Sequence, residues 1–269
     1  MILEGKRLLI TGVVNDDSIA FATAARVQEL GAEIALSAFP RDLAKTLEAA
    51  RKLPSEPPIV AADLTSAQDV SALGSSIDEL WGRLDGALHA IAFAPQAALA
   101  GEFVEAPASD LDIAFQTSAV SYASLGRILR DLSPGPGSSL VGLDFDAGGA
   151  WPVYNWMGVC KAALESANRY VARDLGARGI RANLIAAGPI HTRAAGGIPD
   201  FDVLLEAWEG RSPLPWDPND SGPVADAACF LFSDLSRAIT GEILHVDGGY
   251  HAMATSLRSA QPAAAGGAA

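Results

Sequence analysis

The chain has 269 residues, of which 49% are hydrophobic and 19% are charged, so it has enough apolar material for a large core and fits one globular domain. Its 19 Lys and Arg residues against 32 Asp and Glu residues give a net charge of −13, which argues against nucleic acid or an anionic membrane as the main partner. Two distant cysteines, no signal-peptide pattern and no apolar run long enough to cross a bilayer indicate a reduced, cytoplasmic protein without a membrane span.

Apolar strands and helical patterns alternate along the whole chain. In the first half, strands are predicted at 6–12, 33–39, 58–63 and 84–93, and helices at 18–30, 42–53, 66–82 and 109–132. A Pro/Gly break at 133–137 precedes the second half. There, strands are predicted at 139–143, 181–187 and 242–247, and helices at 154–178, 201–208 and 223–232.

This alternation predicts a single-domain α/β protein over residues 1–255, with a Rossmann-type doubly wound parallel sheet of about seven strands and helices on both faces. The Ala/Gly-rich tail, 256–269, is predicted to be disordered. Ligands of such sheets bind at the carboxyl ends of the strands. The residues that end or follow the predicted strands are Gly12, Asp63, Ile91, Asp144 and Gly188.

Tyr154 and Lys161 follow the fifth predicted strand. Their seven-residue spacing places a phenol and an ammonium two turns apart on one helical face. In isolation such a pair is more often a partly buried Tyr and a surface Lys, because amphipathic helices carry many of them. The position after a strand end favours a catalytic pair instead.

The first strand ends at Gly12 without a G-x-G-x-x-G fingerprint, and the next helix begins at Ser18. Close backbone approach at Gly12 and the free amides of a helix N-terminus suit a pyrophosphate, although Ser18 could equally serve as an N-cap alone. Asp63 could accept a hydrogen bond from an adenine amino group, with Leu64 packing on the ring, or it could cap the following helix.

Several motifs together resemble one family. They are Thr11-Gly12-x5-Ser18-Ile19-Ala20, Asp63-Leu64, His89-Ala90-Ile91-Ala92, Asp144-Phe145-Asp146, Tyr154-x6-Lys161, Ala187-Gly188-Pro189-Ile190-x-Thr192 and Val246-Asp247-Gly248-Gly249. Over about residues 1–255 the chain resembles the enoyl-acyl-carrier-protein reductases of bacterial fatty-acid synthesis, most closely the actinobacterial type, within the short-chain dehydrogenase/reductase superfamily. Commoner members of that superfamily place the Tyr and the Lys closer together, so the longer spacing favours enoyl over carbonyl reduction.

The resemblance implies reduction of the 2,3 double bond of a trans-2-enoyl thioester of acyl carrier protein or CoA, with hydride from NADH. Tyr154 would donate a hydrogen bond to the thioester oxygen as enolate charge develops, and Lys161 would bind the nicotinamide ribose. The implied cofactor contacts are Gly12, Ser18, Ile19, Phe39, Asp63, Leu64, Ala90, Ile91, Ala92, Asp144, Phe145, Lys161, Gly188, Pro189, Ile190 and Thr192. The implied substrate contacts are Phe93, Tyr154, Met157, Ala195, Ile198, Phe201 and Leu205.

The second predicted strand ends at Phe39 and Arg41, without the acid that often binds an NAD ribose. The resemblance places Phe39 beneath adenine and favours NADH. Arg41 leaves NADPH open, because a guanidinium suits a 2′-phosphate.

Segment 192–208 resembles the family's substrate lid. It is shorter than the lid of relatives that act on very long acyl chains, which predicts short- to medium-chain acyl groups. Arg193 and Arg211 could form a basic patch for an acidic carrier protein, or could be solvated charges. The resemblance also implies a homotetramer. The four dispersed histidines have no ligand spacing, so no metal is predicted.

The chain departs from the family where it has Ala90 and Ala92, since relatives usually carry Ser and Gly there. These changes remove a hydroxyl and add a methyl group beside the cofactor. They leave two alternatives open: a specialised-metabolism or inhibitor-resistance paralogue that reduces another enone, carbonyl or imine, and a non-catalytic cofactor-binding regulatory protein. Cys160 is interpreted as a small buried hydrophobe. Ser118 is left outside the catalytic set, since a helix hydroxyl often bonds its own backbone.

Overall fold

A seven-stranded sheet organises the molecule, with strand order β3-β2-β1-β4-β5-β6-β7 and parallel pairing throughout. The computed structural model describes residues 1–193 and 195–256, so the predicted tail beyond residue 256 lies outside the described residues. The predicted doubly wound parallel sheet is confirmed. Its strands are β1 Arg7–Thr11, β2 Glu33–Ala38, β3 Ile59–Ala61, β4 Gly86–His89, β5 Ser139–Asp144, β6 Arg181–Ala187 and β7 Ile243–Val246.

Helices connect the strands and cover both faces of the sheet. The α-helices are α1 Ile19–Glu29, α2 Leu43–Ala50, α3 Ala67–Trp81, α4 Gln96–Leu99, α5 Ala108–Phe115, α6 Ser121–Leu132, α7 Asn155–Gly176, α8 Asp202–Arg211 and α9 Gly222–Phe232. Short 3₁₀ turns lie at Pro40–Asp42, Phe103–Glu105, Ala195–Gly197, Asp234–Ser236 and Tyr250–Ala252.

The core forms one apolar layer on each face of the sheet. Leu8 and Ile10 of β1 belong to the layer that contains Val27 of α1 and Phe232 of α9. Leu9, between them, belongs to the opposite layer, which is closed by helices α3, α6 and α7. Successive side chains of a strand point to opposite faces, and burial of both faces explains the uninterrupted apolar strands.

The strand order reverses between β1 and β4, which is where open α/β sheets bind ligands. Thr11 ties these two strand ends together. Its hydroxyl donates to the carbonyl of Leu88 at 2.7 Å and accepts from the N–H of Ala90 at 3.1 Å. The loops that follow β1 and β4 therefore leave the sheet side by side.

Strand β4 is shorter than predicted, at Gly86–His89 instead of 84–93. The apolar residues after His89 leave the sheet because Ser118 holds the backbone of Phe93. The Ser118 hydroxyl accepts from the Phe93 N–H at 3.0 Å and donates to the Phe93 carbonyl at 3.1 Å. The prediction that Ser118 bonds its own helix is therefore wrong.

The single helix predicted at 109–132 consists of α5, a π-helical turn at Gln116–Val120, and α6. Such turns occur as single interruptions inside α-helices and frequently lie at functional sites. Here the turn carries Ser118, so the irregularity and the restraint on the β4 loop coincide. The sequence pattern does not predict α4 or the 3₁₀ turn Phe103–Glu105.

Candidate active site

Tyr154 and Lys161 lie at the start of α7, as the spacing predicts. Tyr154 immediately precedes the helix, and the two residues are 7% and 5% exposed. The backbone on both sides of Tyr154 is left-handed, with φ of 57° at Val153 and 38° at Asn155. Such backbone costs roughly 1–3 kcal/mol per residue and clusters at functional sites. The Asn155 side chain holds the turn by donating to the Gly101 carbonyl at 3.1 Å.

Burial shifts the pKa of both groups. It raises the pKa of Tyr154 above its ordinary value, and the charge of Asp144 acts in the same direction, so the phenol stays a hydrogen-bond donor at neutral pH. Burial lowers the pKa of Lys161, while Asp144 opposes that change. The Lys161 Nζ donates to the Leu143 carbonyl at 2.8 Å. This bond uses one of the three N–H donors of an ammonium.

Asp144, at the end of β5, is a buried acid without good partners. It is 5% exposed, and neither carboxylate oxygen has a well-aligned hydrogen-bond partner among the described residues. Burial raises its pKa to about 7, although attraction to Lys161 acts the other way. Buried polar atoms without partners are rare in folded proteins. This acid therefore fits a bound group that brings amide or hydroxyl donors to the end of β5.

The loop after β1 leaves no room for a side chain at Gly12. Its φ is 82°, and a Cβ there would lie 2.0 Å from the Ala90 carbonyl oxygen. Ser18 caps α1 by accepting from the Phe21 N–H at 3.1 Å, so the capping prediction is confirmed. A capped helix start beside a close backbone approach has the form of a phosphate site. The other predicted residues of this edge are half-buried or exposed: Ile19, Ala90, Ile91 and Ala92.

Asp63 and Leu64 follow β3. The Asp63 carboxylate accepts from the N–H and the hydroxyl of Thr65 at 2.9 and 2.7 Å, whereas Ser66 caps α3 by accepting from the Asp69 N–H at 3.2 Å. The alternative prediction that Asp63 caps this helix is therefore wrong. Leu64 is 4% exposed and packs in the core. The predicted contact of this pair with adenine stays a prediction.

Phe39, Arg41 and Phe93 form a cluster at the tip of β2. The Arg41 guanidinium lies 4.9 Å from the ring centroid of Phe39 and 5.2 Å from that of Phe93, and its Nε lies 3.4 Å from the Asp42 carboxylate. Phe39 and Phe93 are 43% and 40% exposed. The structure thus places Phe93, predicted as a substrate contact, with the residues predicted for the adenosine end.

The turn after β6 is tightly packed. A Cβ on Gly188 would lie 2.7 Å from the Trp216 ring, and the Pro189 carbonyl accepts from the Trp216 indole N–H at 2.8 Å. The Thr192 hydroxyl accepts from the Ala195 N–H at 3.1 Å, which anchors the start of the predicted lid. The first three predicted residues of this turn are all buried: Gly188, Pro189 and Ile190.

Known proteins have sequences similar to that of this chain. Residues 12–251 match the family model described as Enoyl-(Acyl carrier protein) reductase. The chain is 41% identical to the enoyl-acyl-carrier-protein reductase (NADH) of Mycolicibacterium smegmatis, with 92% of this chain and 97% of that protein covered. The chain belongs to the enoyl-acyl-carrier-protein reductase family. Proteins of the same kind from Mycobacterium avium and Neisseria meningitidis are 40% and 39% identical, covering 92% and 94% of this chain and 97% and 98% of their own lengths.

In this enoyl reductase, the predicted lid joins the apolar cluster around Tyr154. Other predicted residues in that cluster are Phe145, Met157, Ala195, Ile198 and Phe201. The structure does not bring Leu205 into it. Helix α8 turns Leu204 and Trp208 inward, 1% and 3% exposed, because residues four apart share a helical face. Leu205 is half-buried outside the cluster.

Arg211 forms an internal contact with the end of the described chain. Its guanidinium lies 4.3 Å from the ring centroid of Tyr250 and donates to the Tyr250 hydroxyl at 3.2 Å and to the Met253 carbonyl. These partners argue against the predicted role in docking a carrier protein. Arg193 is exposed at the start of the lid, so its predicted role stays a prediction.

The cysteines and His89 are packing residues. Cys160 is 2% exposed and burial raises its pKa to about 11, which confirms its interpretation as a buried hydrophobe. Burial raises the pKa of Cys229 to about 12. His89 is fully buried with its Nε2 2.7 Å from the Ser121 hydroxyl, and burial lowers its pKa to about 3. Within residues 1–193 and 195–256, no group of His, Cys, Asp and Glu could hold a metal ion.

Sequence reasoning missed the aromatic residues that close the site. Four of the chain's five tryptophans belong to the cluster around Tyr154: Trp151, Trp156, Trp208 and Trp216. They come from separate segments, so their convergence is not a local pattern. The available signal was the position of Trp151 and Trp156 within the Asp144–Lys161 stretch and of Trp208 at the end of the lid, whereas Trp216 lies outside both segments.

Proposed function

We propose that this chain catalyses the NADH-dependent reduction of the 2,3 double bond of a trans-2-enoyl thioester in fatty-acid biosynthesis, with the acyl group on acyl carrier protein or CoA. The buried Tyr154 hydroxyl and Lys161 ammonium at the start of α7 carry the proposal. Membership of the family and the NADH reductase names of the relatives support the same reaction.

Tyr154 stabilises the oxygen of the thioester. NADH, when bound, supplies the hydride that adds to the β-carbon, and negative charge then develops on the thioester oxygen. Burial keeps the Tyr154 phenol protonated, so it donates a hydrogen bond to that oxygen instead of abstracting a proton. A donor placed on a developing oxyanion typically contributes ~10²–10³ in rate. The positive charge of Lys161, on the same side of the site as Tyr154, also stabilises the negative charge on the thioester oxygen.

The residues around the strand ends fit the cofactor. Lys161 retains N–H donors for ribose hydroxyls, and the partnerless carboxyl of Asp144 fits a donor such as a hydroxyl or a carboxamide. The capped start of α1 beside Gly12 suits a pyrophosphate. The Asp42 carboxylate beside Arg41 favours NADH, because it would repel the additional phosphate of NADPH.

The two alternative functions receive less support. A non-catalytic protein has no need for a buried Tyr154 flanked by two strained residues and followed, two helical turns on, by a buried Lys161. Only Ala90 and Ala92 favour a paralogue that acts on another enone, carbonyl or imine. The Ala90 backbone keeps its bond to Thr11, so loss of a side-chain hydroxyl leaves this edge of the site in place.

We also propose a homotetramer in the cytoplasm, as the family resemblance implies. Large apolar side chains stand exposed near α5 and α7, in agreement with contact between copies: Phe103, Val104, Phe115 and Val159. Sedimentation equilibrium measures the assembly, and a purely monomeric protein would contradict it. No helix in the described part of the chain is long and apolar enough to cross a membrane.

Oxidation of NADH followed with crotonyl-CoA and with an enoyl-acyl-carrier-protein tests the proposed function. Tyr154→Phe is expected to lower turnover ~10²–10³-fold, because one oxyanion donor is lost, while NADH binding persists. Tyr170→Phe is the matched control, since Tyr170 lies on the same helix and is 58% exposed. Equal turnover by wild type and Tyr154→Phe would remove Tyr154 from the mechanism. Absence of turnover by wild type with both thioesters would refute the proposed function.

A further inference from the structure

Three aromatic side chains from three segments lie together beside Phe145 and Tyr154. Phe145 has ring-centroid distances of 5.1 Å to Tyr154, 5.0 Å to Trp151 and 5.7 Å to Trp208. Tyr250 stacks on Trp208 at 3.8 Å and 9°, and Trp151 lies 5.3 Å from Trp208 and 5.5 Å from Tyr250. Trp151, Trp208 and Tyr250, here called the aromatic wall, therefore pack on one another in every pairing.

Each ring of the aromatic wall has a hydrogen-bond partner for its polar atom. The Trp208 indole N–H donates to the Asp247 carbonyl at 3.0 Å, and the Trp151 indole N–H donates to a backbone carbonyl in its own loop. The Tyr250 hydroxyl accepts from the Arg211 guanidinium at 3.2 Å. The two indole bonds and the stacking of Tyr250 on Trp208 hold the rings in place, and aromatic faces with satisfied polar atoms present an apolar surface.

Two rings of the aromatic wall are packed as densely as a core, and the half-buried Trp151 packs against both. Trp208 is 3% and Tyr250 is 7% exposed, and both belong to the same cluster as Tyr154. Helix α8 adds Leu204 beside Trp208 on its inward face. Close-packed interiors do not yield to an additional group without rearrangement. An acyl chain that starts at Tyr154 and runs toward these rings therefore meets fixed side chains.

We propose that the aromatic wall ends the acyl pocket and restricts this enzyme to short-chain enoyl thioesters, with Trp151 and Tyr250 as the specificity-determining residues. This inference rests on the proposed function, since it names the substrate class of that reaction. Removal of either ring would open space for additional methylenes. Each methylene buried in an apolar pocket contributes about fourfold in affinity, so the gain should grow with chain length.

The test is the ratio of kcat/KM for trans-2-dodecenoyl-CoA to that for crotonyl-CoA. Wild type is expected to favour the crotonyl thioester, and Tyr250→Ala and Trp151→Ala are expected to raise the ratio at least about tenfold. Tyr250→Phe keeps the ring but loses the hydroxyl, so its ratio should stay near that of wild type. Tyr170→Ala, at an exposed Tyr of α7, controls for the loss of an aromatic side chain.

Each outcome separates the aromatic wall from the reaction itself. If wild type, Tyr250→Ala and Trp151→Ala all reduce crotonyl-CoA and have the same ratio of kcat/KM, the proposed role of the aromatic wall is wrong, while the proposed reaction is supported. A higher kcat/KM of wild type for the dodecenoyl thioester would also contradict the role of the aromatic wall and not the reaction. Failure of wild type to reduce either thioester would overturn both proposals. If one alanine variant does not fold, as judged by circular dichroism, the other variant and Trp151→Leu decide the result.

Discussion

Asp144→Asn offers a sharp test of the electrostatics at the end of β5. The carboxyl is 5% exposed without well-aligned hydrogen-bond partners among the described residues, and burial raises its pKa from 3.8 to about 7. The unfolded chain therefore releases this proton near pH 4 and the folded protein near pH 7. Because the folded-state pKa is raised, the stability that this group contributes is present below about pH 4 and is lost as the pH rises through about 7.

The size of the effect follows from the shift. About three pKa units at 1.36 kcal/mol each set a ceiling of about 4 kcal/mol for the stability lost across this pH range. Asparagine has a similar shape but no ionisation, so the variant avoids that loss. The attraction to Lys161 is already included in the pKa of about 7, so it calls for no further deduction. Asp144→Asn should therefore gain about 2–4 kcal/mol relative to wild type between about pH 4 and about pH 8.

Urea unfolding followed by circular dichroism at several pH values measures this gain as a change in the free energy of unfolding. Asp78→Asn is the control, because it removes one carboxylate from an exposed position on α3. A difference between Asp144→Asn and wild type that does not depend on pH would refute the assignment of a raised pKa to this carboxyl.

Two further changes test the restraints on the strand ends. Gly12→Ala should abolish NADH binding and destabilise the protein much more than the control Gly82→Ala. Both glycines have positive φ, but of the two only Gly12 would place a Cβ against the Ala90 carbonyl. Comparable midpoints of urea unfolding for the two variants would contradict this prediction. Ser118→Ala should lower the free energy of unfolding by about 1–3 kcal/mol, because it removes both hydrogen bonds to the backbone of Phe93. An unchanged free energy of unfolding would rule out this restraint.

The strand and helix order was predictable from sequence because each element carries its own signal. Uninterrupted apolar runs such as Leu8-Leu9-Ile10 identify strands covered on both faces, and Gly82 ends α3 in a left-handed conformation. The Tyr154 and Lys161 pair was predictable for the same reason, since a fixed spacing on one helix needs no tertiary information. Element ends were less predictable where a distant side chain decided them.

The β4 loop shows how a distant side chain decides local structure. By composition, residues 84–93 continue as a strand, yet the chain leaves the sheet after His89 because Ser118 binds Phe93 from a π-helical turn. The same limit applies to the aromatic wall, whose members are neighbours only after α8 and the end of the chain have packed on the β5–α7 loop. Pairings of this kind depend on tertiary structure and leave no periodic trace in the sequence.

The β4 loop also bears on the two unusual residues of the chain, Ala90 and Ala92. Its position depends on backbone atoms: Thr11 binds the Ala90 N–H, and Ser118 binds both polar atoms of Phe93. A loop held by its backbone tolerates the loss of a serine hydroxyl, and Ala92 is exposed, so its methyl group displaces no core residue. This difference from the Ser and Gly that the family resemblance predicts therefore leaves the course of the chain unchanged. Its effect should appear in ligand affinity rather than in the stability of the fold.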